Sequence, residues 1–245
     1  TIVLPPMESS LSEVVVNASK TQKKVSEEVR MSSIEVPIKT IKDIPALFGE
    51  KDVLKVLQLM PGVQSGSEGQ SGLYVRGGGP DQNLIILDGA TVYNAQHLFG
   101  FFSLFNGDAL RSVELVKGGF PARYGGRLSS VIDMNMKDGT KEKITGELGV
   151  GLISSKGLIE GPFAKGKGSF IVSGRRTYID ILAQPIILAA NNGNPAGYFF
   201  YDLNAKANYE IDDKNRVYLS GYFGRDKFYF NYSEPLGSYK LKMRF

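Results

Sequence analysis

The sequence predicts an α+β plug domain followed by antiparallel transmembrane β-barrel strands, with the barrel incomplete. Two observations carry this. Between Asp52 and Gly139 the chain runs DVLKVLQLMPGV, LYVRGG, NLIILDGATVY, SVELVKGGFPARYGG and VIDMNMKDG, a mixture of one helical stripe and short apolar runs. After Gly139 the period changes to strict apolar/polar alternation, which suits strands with lipid on one face and water on the other.

Composition narrows the chemistry. The 245 residues carry a net charge of +4, with basic and acidic residues interspersed over Lys20 to Arg30 and Lys137 to Lys143, so no nucleic-acid footprint is present. With no cysteine and a single histidine, His97, there is no thiol nucleophile, disulfide framework or multi-histidine metal site, and no cofactor is expected. The longest apolar run, Ile186 to Ala190, falls far short of the roughly 18 residues of a membrane helix. TIVLPPMESS lacks the pattern of a signal peptide, so the chain reads as a mature or trimmed piece.

In the first half, Val53, Leu54, Val56, Leu57 and Met60 form a helical stripe stopped by Pro61-Gly62. Leu73 to Val75, Leu84 to Leu87 and Val113 to Val116 read as short strands ending in Gly-rich or Asp-Gly turns. Ala95 to Leu110 reads as one or two helices broken at Gly100 and Gly107, with Phe102 and Phe105 in the core. Two helices over a small sheet would bury both faces of its strands.

In the second half, Tyr201, Leu203, Ala205, Ala207, Tyr209 and Ile211 alternate with Asp202, Asn204, Lys206, Asn208 and Glu210 without a miss. Val217, Leu219, Gly221 and Phe223 alternate with Tyr218, Ser220 and Tyr222; Tyr239, Leu241, Met243 and Phe245 with Lys240, Lys242 and Arg244; Leu148, Val150 and Leu152 with Glu147, Gly149 and Gly151. Short turns at Ala164 to Gly168 and Asp212 to Asn215 contrast with a long loop from Ala183 to Gly197, the asymmetry of an outer-membrane barrel. A soluble sandwich has shorter strands, and aromatics near strand ends (Tyr201, Tyr209, Phe228, Tyr229, Phe230) favour the membrane.

Enzyme motifs fail on inspection. GPFAKGK at Gly161 to Lys167 is followed by Gly168 where a P-loop needs Ser or Thr, so it reads as a hairpin turn, and Asp88-Gly89 reads as a turn before any acid/base role. Neither a GxGxxG nor a GxSxG spacing occurs, and the chain is read as no enzyme.

PGV at Pro61 to Val63, VRGGG at Val75 to Gly79, LDGATVY at Leu87 to Tyr93 and VELVKGGFPARYGG at Val113 to Gly126 together resemble the plug domain of TonB-dependent outer-membrane receptors of the style common in Bacteroidota. Leu11 to Val16 resembles the TonB box, so Glu13, Val14, Val15 and Val16 would be the strand that TonB adds to its own sheet. The resemblance implies a division into residues 1–19 (tail of a preceding segment with the box), 20–33 (linker), 34–141 (plug) and 142–245 (first barrel strands). It implies that Arg76, Glu114 and Arg123 pair with the barrel's inner wall, and that Tyr93, Asn94, Gln96 and His97 contact cargo at the outward apex, beside the Arg76 to Asn83 loop.

The implied partners are TonB, energised by the inner-membrane proton gradient, and outer-membrane lipids, with a lipoprotein or the barrel-assembly machinery left open and no nucleic acid. The implied location is the Gram-negative outer membrane, with the plug inside the barrel facing the periplasm. Barrels of this kind have about 22 strands, and about six fit after Gly139, so the chain is expected to be part of a longer receptor. The expected activity is import of a cargo bound outside, when TonB pulls on the plug. A sealing or scaffold component, or a truncated barrel client held in an assembly complex, is the competing reading, and the sequence names no cargo.

Overall fold

The computed structural model describes residues 33–44, 50–66, 72–234 and 237–244. Glu13 to Val16 and residues 20–32 of the expected linker lie outside them, while Ser33 already belongs to the first strand. In chain order the elements are β1 (Ser33–Val36), α1 (Ile38–Asp43), α2 (Val53–Gln58), β2 (Val63–Gln64), β3 (Tyr74–Val75), β4 (Asn83–Leu87), β5 (Ala90–Thr91), β6 (Gln96–His97), β7 (Phe102–Ser103), β8 (Leu110–Val116) and β9 (Ser130–Met136). The second half adds β10 (Thr145–Val150), β11 (Ser154–Phe163), β12 (Gly168–Thr177), α3 (Ile179–Leu182), α4 (Gln184–Ala190), β13 (Ala196–Glu210), β14 (Arg216–Glu234) and β15 (Gly237–Arg244).

The plug is built on a five-stranded sheet of order β1-β8-β9-β4-β5, in which only β4 and β9 pair in parallel. Helix α2 starts where Asp52 caps it, its Oδ1 accepting from the amides of Leu54 (2.8 Å) and Lys55 (3.1 Å). The predicted stripe Val53, Leu54, Val56 and Leu57 is buried against Val113, Leu115, Ile132 and Met134 of the sheet. Strand β9, the VIDMNM run, is the sheet's centre and alternates in burial with period two at its end.

The segment from Ala95 to Leu110 contains no α-helix, only one 3-10 turn at Leu98–Gly100. Leu98 (φ 48) and Gly100 (φ 99) take left-handed backbone, and the chain folds as the β6–β7 hairpin, which brings the His97 ring and the Ser103 carbonyl to the wall strands. Phe102 and Phe105 are buried as expected.

The six strands β10 to β15 pair consecutively and antiparallel. Their burial is inverted relative to a soluble sheet. Asp202 (3 % exposed), Asn204, Lys206 and Asn208 are buried against the plug, while Leu148 (83 %), Val150, Leu219 (78 %) and Phe223 face outward. The register places Phe163 and Tyr209 on the outward face at one end of an apolar band and Tyr201 and Phe223 at the other, as two aromatic rows (ring centroids 6.3 and 6.1 Å apart). Tyr201 to Tyr209 spans roughly 27 Å along the strand, and a tilt of about 40° reduces that to roughly 21 Å, close to the apolar belt of a membrane barrel.

Both short turns, at Ala164–Gly166 and at Asp212 to Asn215, lie at one end, where the plug also joins β10. The 178–195 connection lies at the opposite end, called the outer end below, and carries α3 and α4 rather than irregular loop alone. At the inner end Gly139 (φ 80) lets the linker lie on β12, since a Cβ there would meet the Phe170 carbonyl oxygen at 2.3 Å. Strands β13 and β14, at 15 and 19 residues, run past the apolar band, so Tyr201 and Phe228 to Phe230 lie within strands rather than at their ends.

One face assignment is reversed. Met243 and Leu241 stand opposite Phe228 and Phe230, on the face that Tyr198 and Asp202 share, so Lys240, Lys242 and Arg244 point outward. Alternation separates two faces without saying which is which; the pairing with β14 decides it.

Candidate functional site

The plug meets the wall at two buried polar clusters. In the outer one, the β6–β7 hairpin places His97 (3 % exposed) between two wall carboxylates: Nε2 donates to Asp202 Oδ1 and Nδ1 to Asp226 Oδ1, both at 2.7 Å. With both carboxylates ionised, and therefore only accepting, each ring nitrogen must carry a proton, which is the imidazolium form. Its ring stacks on Phe200 at 4.1 Å between centroids and 8° between planes. Tyr198 and Tyr222 donate to the same two carboxylates, at 2.6 and 2.7 Å.

Arg175 extends the cluster into the plug. Its Nε and Nη2 donate to Asp202 Oδ2 (2.9 and 2.5 Å), Nη1 to Glu50 Oε2 (3.3 Å) and Nη2 to the Ser103 carbonyl (2.7 Å). Ser154 of β11 also donates to Glu50. Asp52, having capped α2 with one oxygen, accepts the Ser103 amide with the other at 2.6 Å, so helix start and hairpin are held together behind the arginine.

At the inner cluster, Lys206 donates to Asp88 Oδ1 (2.9 Å) and the Met136 carbonyl (3.2 Å) and pairs with Asp138 Oδ1 (3.1 Å). Asp88, in the β4–β5 turn at φ 48, also accepts the Met136 amide at 3.0 Å. Asp138 further takes Arg216 (2.8 Å) and Arg111 (2.9 Å); burial opposes its ionisation, but Arg216 and Lys206 outweigh that and hold its carboxyl below the usual range. A Lys156–Asp108 ion pair also joins plug and β11, at the level of Arg175 in the strand register.

Burial works against charging His97, but its bonds to Asp202 and Asp226 win, and its pKa lies above the ordinary value. Arg175, Glu50 and Asp52 are further charged groups of this cluster. A pKa raised on folding means that the anchoring is complete below the ordinary histidine value of about 6.5 and is lost as pH rises through the folded value. Amide exchange of residues 95–103, corrected for intrinsic rates, is therefore expected to accelerate on the alkaline side in the whole receptor. His97→Gln should remove that pH dependence; a profile unchanged by the substitution would refute the charge assignment.

His97 is thus sequestered, which corrects its expected place among exposed cargo contacts. Tyr93 (86 % exposed), Asn94 and Gln96 do sit together at the outer side of the plug. With Asp81, Thr91 and Arg127 they line a cavity of about 280 Å³, which brings the two expected apex loops side by side. A second cleft of about 240 Å³ lies between Asn94, Gln96 and Leu98 of the plug and Tyr198, Asp226 and Phe228 of the wall. Glu114 accepts from Ser33 (2.6 Å) and Arg123 donates to the Tyr124 hydroxyl (2.9 Å), contacts internal to the plug, while Arg76 packs near Gly62 and Gly118. The wall residues Arg175, Asp202, Lys206 and Asp226 were not singled out from sequence; polar residues recurring at every second position of a strand were the available signal.

An α+β domain held by buried ion pairs against the polar face of outward-apolar strands defines a plugged membrane barrel. Residues 28–131 match the TonB-dependent Receptor Plug Domain family, so this part of the chain is a plug domain of that family, and six antiparallel, outward-apolar strands follow it. No curated protein matches it. Among solved structures it is similar to the siderophore receptor PirA from Acinetobacter baumannii (21 % identity, TM-score 0.56, covering 83 % of this chain and 32 % of that one). It is also similar to the ferric enterobactin receptor PfeA from Pseudomonas aeruginosa (18 %, 0.56, 80 % and 33 %). A third is the hemophore receptor HasR from Serratia marcescens, solved with its hemophore HasA and heme (15 %, 0.55, 89 % and 38 %). The chain therefore spans about a third of the length of these structures.

Proposed function

We propose that this chain is the N-terminal part of a TonB-dependent transporter that binds cargo outside and imports it when TonB pulls on the plug. The observation that carries the reading is how the plug is seated: side-chain ion pairs and hydrogen bonds, such as Arg175 to Asp202 and Glu50 and Lys206 to Asp88, join it to the wall strands. Such contacts break and re-form without unfolding the barrel. Its place is the outer membrane, with residues 34–141 as plug and 142–245 as the first strands. Its energy comes through TonB from the inner-membrane proton gradient, with no nucleotide.

In this reading Glu13, Val14, Val15 and Val16 form the strand added to TonB, because β-branched residues favour extended backbone. Tyr93, Asn94 and Gln96 contact the cargo, offering one aromatic face and two amides. Arg76, Glu114 and Arg123 meet the inner wall beyond the six strands described. The similar structures are receptors for a siderophore, for ferric enterobactin and for a heme-carrying hemophore, and at 15–21 % identity they choose no cargo for this chain.

The test is binding of a purified TonB C-terminal domain to a peptide covering residues 9–19. Saturable binding is expected, and Val15→Pro should abolish it by removing an amide donor and the extended pairing. Equal binding of both peptides, or of neither, would count against energy coupling and favour a sealing role.

A further inference from the structure

The inner face of a membrane barrel is ordinarily polar, and β13 keeps to this at the level of the plug with Asp202, Asn204, Lys206 and Asn208. Toward the outer end the pattern changes. Tyr198 stands opposite Phe228 and Phe228 opposite Met243, while Ala196 stands opposite Phe230 and Phe230 opposite Leu241. These six share the face of Asp202, and none carries a charge. Leu241 (51 % exposed) and Met243 (36 %) are open. An apolar wall turned toward the watery interior marks a surface that something else covers.

At the foot of this wall lies the cleft of about 240 Å³, and among the residues lining it only Asp226 is charged. Asp226 Oδ1 takes both the His97 Nδ1 proton and the Tyr198 hydroxyl. Its Oδ2 has no partner among the described residues, and it is not one of the buried unpartnered oxygens, so it is the oxygen left for the cleft. The cations nearby are committed: both His97 nitrogens are held by carboxylates, and the buried Arg175 guanidinium is spent on Asp202, Glu50 and the Ser103 carbonyl. In the cluster behind the cleft, His97, Arg175 and Lys55 stand against Asp202, Asp226, Glu50 and Asp52, one negative charge in excess. An anion entering the cleft therefore meets a carboxylate and no free cation. A cation meets an open carboxylate oxygen and the faces of two aromatic rings.

We propose that this cleft binds an organic cation, a protonated amine or guanidinium on an apolar body, and that the transported cargo is of this class. The cation seats on Asp226 Oδ2, the body lies against Phe228 and Tyr198, and the amides of Asn94 and Gln96 meet its polar edge. Charge selects the ligand's head and the apolar wall above selects its body. The assignment rests on the transporter reading and adds a cargo class to it.

The experiment is ligand-observed NMR on the purified full-length receptor in neutral detergent, with three probes of one shape: phenethylamine, phenethyl alcohol and 3-phenylpropionate. Probes this small are expected to bind in the millimolar range, with the amine saturating and the alcohol and carboxylate about tenfold weaker. Asp226→Asn should bring the amine to the level of the alcohol. Phe228→Ala should weaken all three several-fold and keep the order. Equal binding of carboxylate and amine by the unaltered receptor would overturn the proposal, a result that depends on no variant folding. So would a missing saturable signal from the amine, or a full preference for it in Asp226→Asn protein whose barrel still shows heat-modifiable migration. The TonB-peptide measurement is separate: binding of that peptide together with a failed amine preference removes only the cargo class, whereas the reverse result leaves the cation site standing and removes the transporter.

Discussion

Replacing Arg175 with methionine is expected to unseat the outer half of the plug. The guanidinium is buried and bridges Asp202 of the wall to Glu50 and the Ser103 carbonyl of the plug. Its loss leaves Glu50 with Ser154 alone and a backbone carbonyl without its recorded donor, while Asp202 keeps His97 and Tyr222. Breaking a buried ion pair by removing one partner costs about 3–5 kcal/mol. Local opening at the hairpin should become roughly a hundredfold or more easier, seen as faster amide exchange at residues 95–105 in the full receptor. Arg175→Lys should recover only part, because an ammonium is a point charge that cannot replace the fork. Exchange at residues 95–105 unaltered in Arg175→Met would show that the arginine does not hold the plug.

Lys206→Met is the corresponding change at the inner cluster. Lys206 lies over the Tyr218 ring, so its stem is packed, and its head is the recorded cation on Asp88. Asp138 keeps Arg216 and Arg111, so the uncompensated charge falls on Asp88, which would hold only the Met136 amide. A loss of about 3 kcal/mol is expected, read as faster exchange at residues 83–91 and 134–138. Adding Asp88→Asn removes the orphaned charge, so the double variant should be less impaired than the sum of the two single changes by about 1–3 kcal/mol. Strict additivity in that cycle would mean that the two residues are not coupled in the protein.

The two clusters differ in how they were reached. Asp202 and Lys206 belong to a polar stripe that alternation picks out at once, because a strand's period of two needs no partner to be visible. What faces the stripe cannot be read from the strand. His97 was expected at an exposed apex; its neighbours Tyr93 and Asn94 are there, but one turn of hairpin buries His97 between carboxylates more than 100 positions away.

By itself the sequence determined the order of the two parts, the α2 stripe, the short β4 and β8 strands, the hairpin turns at Ala164 and Asp212, and the membrane character of the strands, all of which depend on local period and turn chemistry. Only the tertiary structure decided that Gln96 to Ser103 folds as a hairpin, that β9 is the centre of the plug sheet, and that Lys240, Lys242 and Arg244 face outward. Those outcomes depend on pairing between distant segments. A strand's own pattern sets two faces apart, and the partner that buries one of them decides which face meets protein and which meets lipid.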